Sequence, residues 1–252
     1  MHPVDEVAPE RPWHPIPIRD RGATLEPLPV ALHRLLPHPY GELGAPYGPG
    51  TGADPFHLRR PVVQRLLKAQ DLLQRRKPRW RLAIYDAWRP IAVQAFMMAY
   101  ARRQECERRS IDPQQASPER EAAFLEVSRF WAEPSENPRT PPPHSTGAAV
   151  DLTLATADGI PLDMGGVIDA IGPISEPDHH TAAARLNPSS PAGQFHKRRV
   201  LLRQVMDGAG FAQHPNEWWH FSWGDQLWAW RKGYPAAHFG GIRASAGAGQ
   251  AG

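Results

Sequence analysis

Cysteine is nearly missing from this chain of 252 residues: Cys106 stands alone, so no internal disulfide can form. It lies in a charged, helix-like stretch, in keeping with a reducing compartment. Long apolar runs are missing too, which excludes a membrane-spanning helix. The opening residues, Met1 to Pro15, have neither the basic head nor the apolar segment of a signal peptide, so a cytoplasmic location is expected. There is no internal repeat. No nucleic-acid motif accompanies the short basic clusters at Arg59-Arg60, Arg75-Arg76-Lys77 and Lys197-Arg198-Arg199. With a net charge of only +3 and acidic residues near each cluster, they read as solvated surface, and nucleic acid is not an expected partner.

What the chain does contain is proline, 29 residues of it, which favours loops and short elements over a helical bundle or coiled coil. Hydrophobic residues at 41% and charged residues at 22% suffice for a folded core. The expected organisation is a proline- and glycine-rich segment, residues 1–58, packed on a main domain over 59–239. A tail of glycine, alanine and small polar residues, 240–252, is expected to be disordered. Within the main domain the apolar spacing predicts helices from Pro61 to Arg76, Ile91 to Glu107, Glu119 to Trp131 and Phe195 to Met206. Ser117 is suited to cap the third of these. Strands are expected at Trp80–Tyr85, Gly147–Ala155, near Phe211 and over Trp218–Trp223, while 39–56, 132–146 and 163–192 read as irregular. With no regular βαβ alternation, the expected fold class is α+β, a small antiparallel sheet flanked by helices.

Histidine, 12 residues, is the first pointer to chemistry. His2, His14, His33, His38 and His57 fall in irregular or polar sequence without an acidic partner at ligand spacing, and His238 adjoins the tail. Three places remain. His144 leaves a proline-stiffened loop and Asp151 sits in the strand that follows, a layout that on its own reads first as a turn histidine and a capping aspartate and that would also suit a zinc ligand pair. Glu217-Trp-Trp-His220 offers a ligand beside a general base, or an aromatic core strand. Residues three apart on a strand face opposite ways, so that reading needs a bend. The third place is the pair His179-His180. Arg89, between a strand end and Pro90, could hold a carboxylate or an oxyanion, or form a surface ion pair with Asp86.

Taken together, these segments resemble the zinc D-alanyl-D-alanine dipeptidases related to the vancomycin-resistance dipeptidase, within the zinc D,D-peptidases. The resemblance rests on His144, Gly147, Ala149 and Asp151, on Glu217 to His220, and on Asp86-Ala87-Trp88-Arg89-Pro90 with alanine replacing the usual glycine. Asp151 to Leu154, Met164-Gly165, Asp169, His179-His180 and Arg198-Arg199 ahead of Gly210-Phe211 follow in family order. It spans roughly residues 60 to 225.

The resemblance implies one zinc ion per chain, bound by His144, Asp151 and His220, with Glu217 as catalytic base and Arg89 stabilising the transition state. Asp169 matches the carboxylate that recognises the ammonium group of a small dipeptide, and His179 and His180 are given structural or supporting roles. One position departs from the family: Pro142 stands where a substrate-contacting serine is usual, two residues before the first ligand. A proline has neither hydroxyl nor N–H, so the donor for the substrate's carboxylate is open. The rival readings are a D,D- or L,D-carboxypeptidase acting on longer cell-wall peptides and a zinc-bearing binding domain without catalysis. Nothing in the sequence fixes the oligomeric state.

Overall fold

In the computed structural model, residues 10–243 are described, and all that follows concerns them. The N-terminal segment supplies β1 (Leu25–Pro27), β2 (His33–Arg34), the short α1 (Pro39–Glu42) and β3 (His57–Arg59). Residues 39–56, read as a loop, therefore hold one helical turn, and a 3₁₀ turn follows at Pro49–Thr51. Next come α2 (Arg60–Arg76), β4 (Arg81–Asp86), α3 (Ile91–Arg108), α4 (Pro118–Phe130) and β5 (Ala149–Ala155). The chain closes with α5 (Thr181–Leu186), α6 (Pro191–Gly208), β6 (Ala212–Gln213), β7 (His220–Ser222) and α7 (Gln226–Lys232). Two of these helices differ from expectation. α5 forms inside the stretch read as irregular, and α7 had no counterpart. None of the described helices is long and apolar enough to cross a membrane.

The helices begin where local chemistry dictates. Ser117 accepts a hydrogen bond from the Arg120 amide at the start of α4, and Pro118 fills the first turn, where a missing N–H costs nothing. Ser190 does the same for Gly193 ahead of α6, and Asp225 for Trp228 ahead of α7. Along α2, Val62, Val63, Leu66, Ala69 and Leu73 form one buried stripe at helical spacing.

The main sheet has the order β2-β4-β5-β7-β6. It is antiparallel except at one edge, where the two-residue β2 runs parallel to β4. β1 and β3 form a separate antiparallel pair. Alternation along β5 sends Val150, Leu152 and Leu154 into the main apolar cluster, with residues of α2, α6 and α7. Asp151 and Thr153 face the other way, and that opposite face carries the polar site. A second cluster, built on Tyr40, Val93, Met97, Val127 and Trp131, joins α3 to α4.

The N-terminal segment is integral to this core, since Trp13, Leu28, Leu32 and Phe56 are buried in the main cluster. At the other end the expected disorder does not begin at Gly240. The Gly240 amide donates to Asp20 at 3.0 Å, its carbonyl accepts from Arg59 at 3.0 Å, and the Ile242 amide donates to Ser145 O at 2.8 Å. The rest of that tail, 244–252, lies outside the described residues.

Candidate metal centre

Strand register assembles the site. In the sheet Asp151 of β5 sits opposite His220 of β7 on one side and Asp86 of β4 on the other. Simple alternation would send Asp86 into the core with Leu82 and Ile84. A register shift between Ile84 and Asp86 turns it to the polar face instead. On the far side the His214 amide donates to His220 O at 3.0 Å, so Asp86, Asp151, His220 and His214 form a row across the sheet.

His144 reaches this row from a 3₁₀ turn, Pro143–Thr146, which ends at Gly147 in the left-handed conformation (φ 67°). A side chain there would be strained, and its Cβ would come within 2.6 Å of Leu25 Cδ2. The His144 ring is oriented by Nδ1, which lies 2.6 Å from Ala87 O and must donate to it. Its Nε2 therefore points a lone pair at the site. His144 Nε2 lies 3.2 Å from Asp151 Oδ2 and 3.1 Å from His220 Nδ1, and His220 Nδ1 lies 3.1 Å from Asp151 Oδ1. The far nitrogen of His220 faces Ser222 Oγ at 3.2 Å.

Two imidazole nitrogens and a carboxylate converge here, all three residues buried, and Asp151 Oδ1 has no hydrogen bond. Burial alone would raise the Asp151 carboxyl, but His144 and His220 together hold it well below the usual carboxylate range. A divalent cation of borderline softness fits this donor set. The ligands are of the right kind, each ring is anchored by its other nitrogen, and their separations approach the roughly 3.3 Å edge expected of a tetrahedron with bonds of about 2.0–2.1 Å. Among the described residues this is the single cluster of three such groups.

Glu217 stands just before a bend at Trp218–Trp219, after which β7 begins at His220. The bend lets residues three apart face the same space: Glu217 Oε2 is 3.7 Å from His220 Nδ1, and Oε1 is 3.5 Å from His214 Nδ1. Burial, reinforced by the charges of Asp151 and Asp169, pushes the Glu217 carboxyl well up. Burial likewise pushes the His214 imidazole well down, so it is neutral beside Glu217.

Arg89 does pair with Asp86, at 2.8 Å, but in the interior and not at the surface; it is 4% exposed and Asp86 fully buried. Its Nη2 also lies 3.2 Å from Asp151 Oδ2, and Nη1 donates to Gln94 at 3.1 Å. Burial works against the Arg89 charge, but Tyr40, Asp86 and Asp151 more than compensate and hold its pKa well above the ordinary value. Asp169 is presented by a left-handed backbone (φ 66°) that a non-glycine residue adopts at a cost of about 1–3 kcal/mol. It accepts a hydrogen bond from Tyr40 OH at 2.9 Å, and burial, then the nearby Asp151 charge, push its carboxyl up to about 7.

These groups line a cavity of about 40 Å³. His144, Asp151, His220, Glu217, Arg89 and Asp169 all border it, whereas His179 and His180 do not. The latter pack on each other, with His180 Nε2 bonded to Gly165 O at 2.9 Å and its ring against Phe195. Arg11, Trp13 and Trp131, which no local sequence signal marks, also border the cavity, and His38, without an acidic partner nearby in sequence, has its Nε2 3.1 Å from Asp86. His214 borders the cavity as well. The spacing of His214, Glu217 and His220, three residues apart each time across a bend, was the signal available for it.

Comparison with known proteins bears on the family. The profile of the family described as D-ala-D-ala dipeptidase matches residues 51–240. A D-alanyl-D-alanine dipeptidase from Synechocystis is 43% identical over 230 residues, covering 88% of this chain and 91% of that one. The enzyme of that name from Enterococcus faecium is 28% identical over 197 residues, 75% of this chain and 84% of the relative. One from Escherichia coli is 40% identical over a shorter stretch of 79 residues, 31% of this chain and 36% of its own length.

Proposed function

The chain belongs to the D-alanyl-D-alanine dipeptidase family, and from that premise we propose that it hydrolyses the peptide bond of D-alanyl-D-alanine or a closely related free dipeptide. One zinc ion per chain is held by His144, Asp151 and His220. The observation that carries this reading is the convergence of those three donors with Glu217 at 3.7 Å from His220.

When bound, zinc supplies Lewis acidity both to the scissile carbonyl and to the attacking water. Everything else falls to the chain. Glu217, its carboxyl already raised by burial, takes the proton from the water and returns it to the departing amine. Arg89 is fixed by Asp86 and Gln94, so its charge meets the oxyanion without reorganisation. Asp169 receives the substrate's ammonium group; arrival of that cation favours the ionised carboxylate, and Tyr40 OH holds its oxygen in place.

A longer cell-wall peptide would have to run past Asp169, which also borders a second cavity with Tyr40, Tyr85 and Trp131, so recognition of a free ammonium group at Asp169 is what separates the dipeptide reading from the carboxypeptidase. A binding domain without catalysis would not need Glu217 in reach of the ligands. The experiment compares kcat/KM for D-Ala-D-Ala and its N-acetyl form. Acetylation removes the ammonium and leaves the buried Asp169 without its cationic partner, so the blocked substrate is expected to be worse by about 30- to 1,000-fold. Equal rates on both would move the assignment to a carboxypeptidase.

A further inference from the structure

The charges around the cavity do not balance. Asp151, Asp169 and Glu217 line it, and Arg89 is already engaged by Asp86 and Asp151. The other cation on the wall is Arg11, which forms no ion pair with any carboxylate among the described residues. It is gripped from behind. Nη1 donates to Arg129 O at 3.3 Å and Nη2 to Trp131 O at 3.0 Å and to Ser128 O, the carbonyls at the end of α4. Those carbonyls orient the guanidinium and bear partial negative charge without neutralising it. Three of its five N–H donors are used, and two remain.

Its position is equally telling. Arg11 borders the cavity together with Glu217 and Pro143. Glu217 hands its proton to the departing amine, and in a dipeptide the carboxylate is one carbon beyond that amine. Asp169 is held by Tyr40, which Arg11 does not contact. Arg11 also shares an adjoining cleft with Pro142 and Pro143. Pro142 is the residue that lacks the family's serine donor.

We infer that Arg11 takes the substrate's terminal carboxylate, supplying from the N-terminal segment the donor that position 142 lacks. This rests on the dipeptidase reading for the direction in which substrate lies, but it concerns the carboxylate end alone. An N-blocked peptide ending in D-alanine would meet the same guanidinium.

The test is binding to the zinc-loaded protein, read by tryptophan fluorescence, since Trp13, Trp131 and Trp219 line the cavity. The probes are D-alanine, the carboxylate-bearing product, and D-alaninamide, which lacks that charge. The parent protein should prefer D-alanine. Arg11→Gln, which still offers N–H donors to the α4 carbonyls, should weaken D-alanine binding about 100-fold and leave the amide nearly unchanged. Arg11→Lys should restore part of the preference, and kcat/KM for D-Ala-D-Ala should fall in parallel with D-alanine binding. A preference for D-alanine that persists in Arg11→Gln would overturn the inference, as would its absence in the parent. If the parent shows the preference and loses it in Arg11→Gln yet cleaves no dipeptide, the proposed activity fails while the role of Arg11 stands.

Discussion

The cavity wall has two halves of different origin. One half, Asp151, His220 and His214, belongs to a row across the sheet that Asp86 continues behind the wall, each position fixed by pairing with the next strand. The other half, Arg11, Trp13, Trp131 and Asp169, comes from segments outside the strands and is held by side-chain contacts and one strained backbone position. Register holds Asp151 and His220 3.1 Å apart, and a 3₁₀ turn and a bend bring His144 and Glu217 to within 3.1 and 3.7 Å of His220. Irregular chain holds the groups that measure a substrate. A sheet tolerates no slippage, because moving by one residue would turn Asp151 into the core. Loops can exchange a serine for a proline and recruit an arginine from elsewhere.

That contrast can be broken from its strong side first. His220→Ala should abolish turnover and lose zinc, read as metal per chain after dialysis. Zinc retained in full would mean the row is not the ligand set. Glu217→Gln should keep zinc but cut turnover by about 10²–10⁴-fold, because the base is not a ligand. If turnover survived with zinc in place, another group would have to activate the water.

The loop side gives smaller effects. In metal-stripped protein the Asp169 carboxyl sits at about 7 against an ordinary 3.8, so between those values the folded state binds the extra proton. Stability is therefore lost as pH rises through this window, by the cost of ionising a buried group. Asp169→Asn removes that cost and should melt higher than the parent above pH 7. The difference should fade as pH falls toward the ordinary carboxyl range. A constant difference across the range would show that Asp169 does not ionise in the fold. Smallest of all, Ser117→Ala, at the start of α4 and outside the cavity wall, should lose about 1 kcal/mol in denaturant unfolding and leave kcat/KM intact. Altered catalysis there would show that α4, whose last carbonyls hold Arg11, transmits to the site.

The two halves were also unequally legible. α2, α3, α4, α6 and β5 follow from apolar spacing and caps, because those signals are local. The ligand set followed from motif resemblance, and the turn needed between Glu217 and His220 followed from strand geometry. Arg11 was illegible for a physical reason: its partners are the carbonyls of 128–131, more than a hundred residues away, and no local pattern marks such a contact. The interior ion pair of Arg89 with Asp86 depended on a register shift that alternation alone does not announce. α7, seven residues long, is too short for its period to stand out.

Arg59 carries a consequence for how the protein is made. Its guanidinium bonds to Ala23 O, Thr146 O and Gly240 O, and the Ile242 amide bonds to Ser145. The turn bearing His144 is thus clasped by residues near both ends of the described chain. During synthesis the N-terminal partners wait, and the clasp closes only after the last of these residues has left the ribosome. Until then the turn that carries His144 is held by Ala87, Arg89 and Arg59 alone, so a nascent chain halted before Gly240 would carry every ligand residue yet lack the C-terminal half of the clasp.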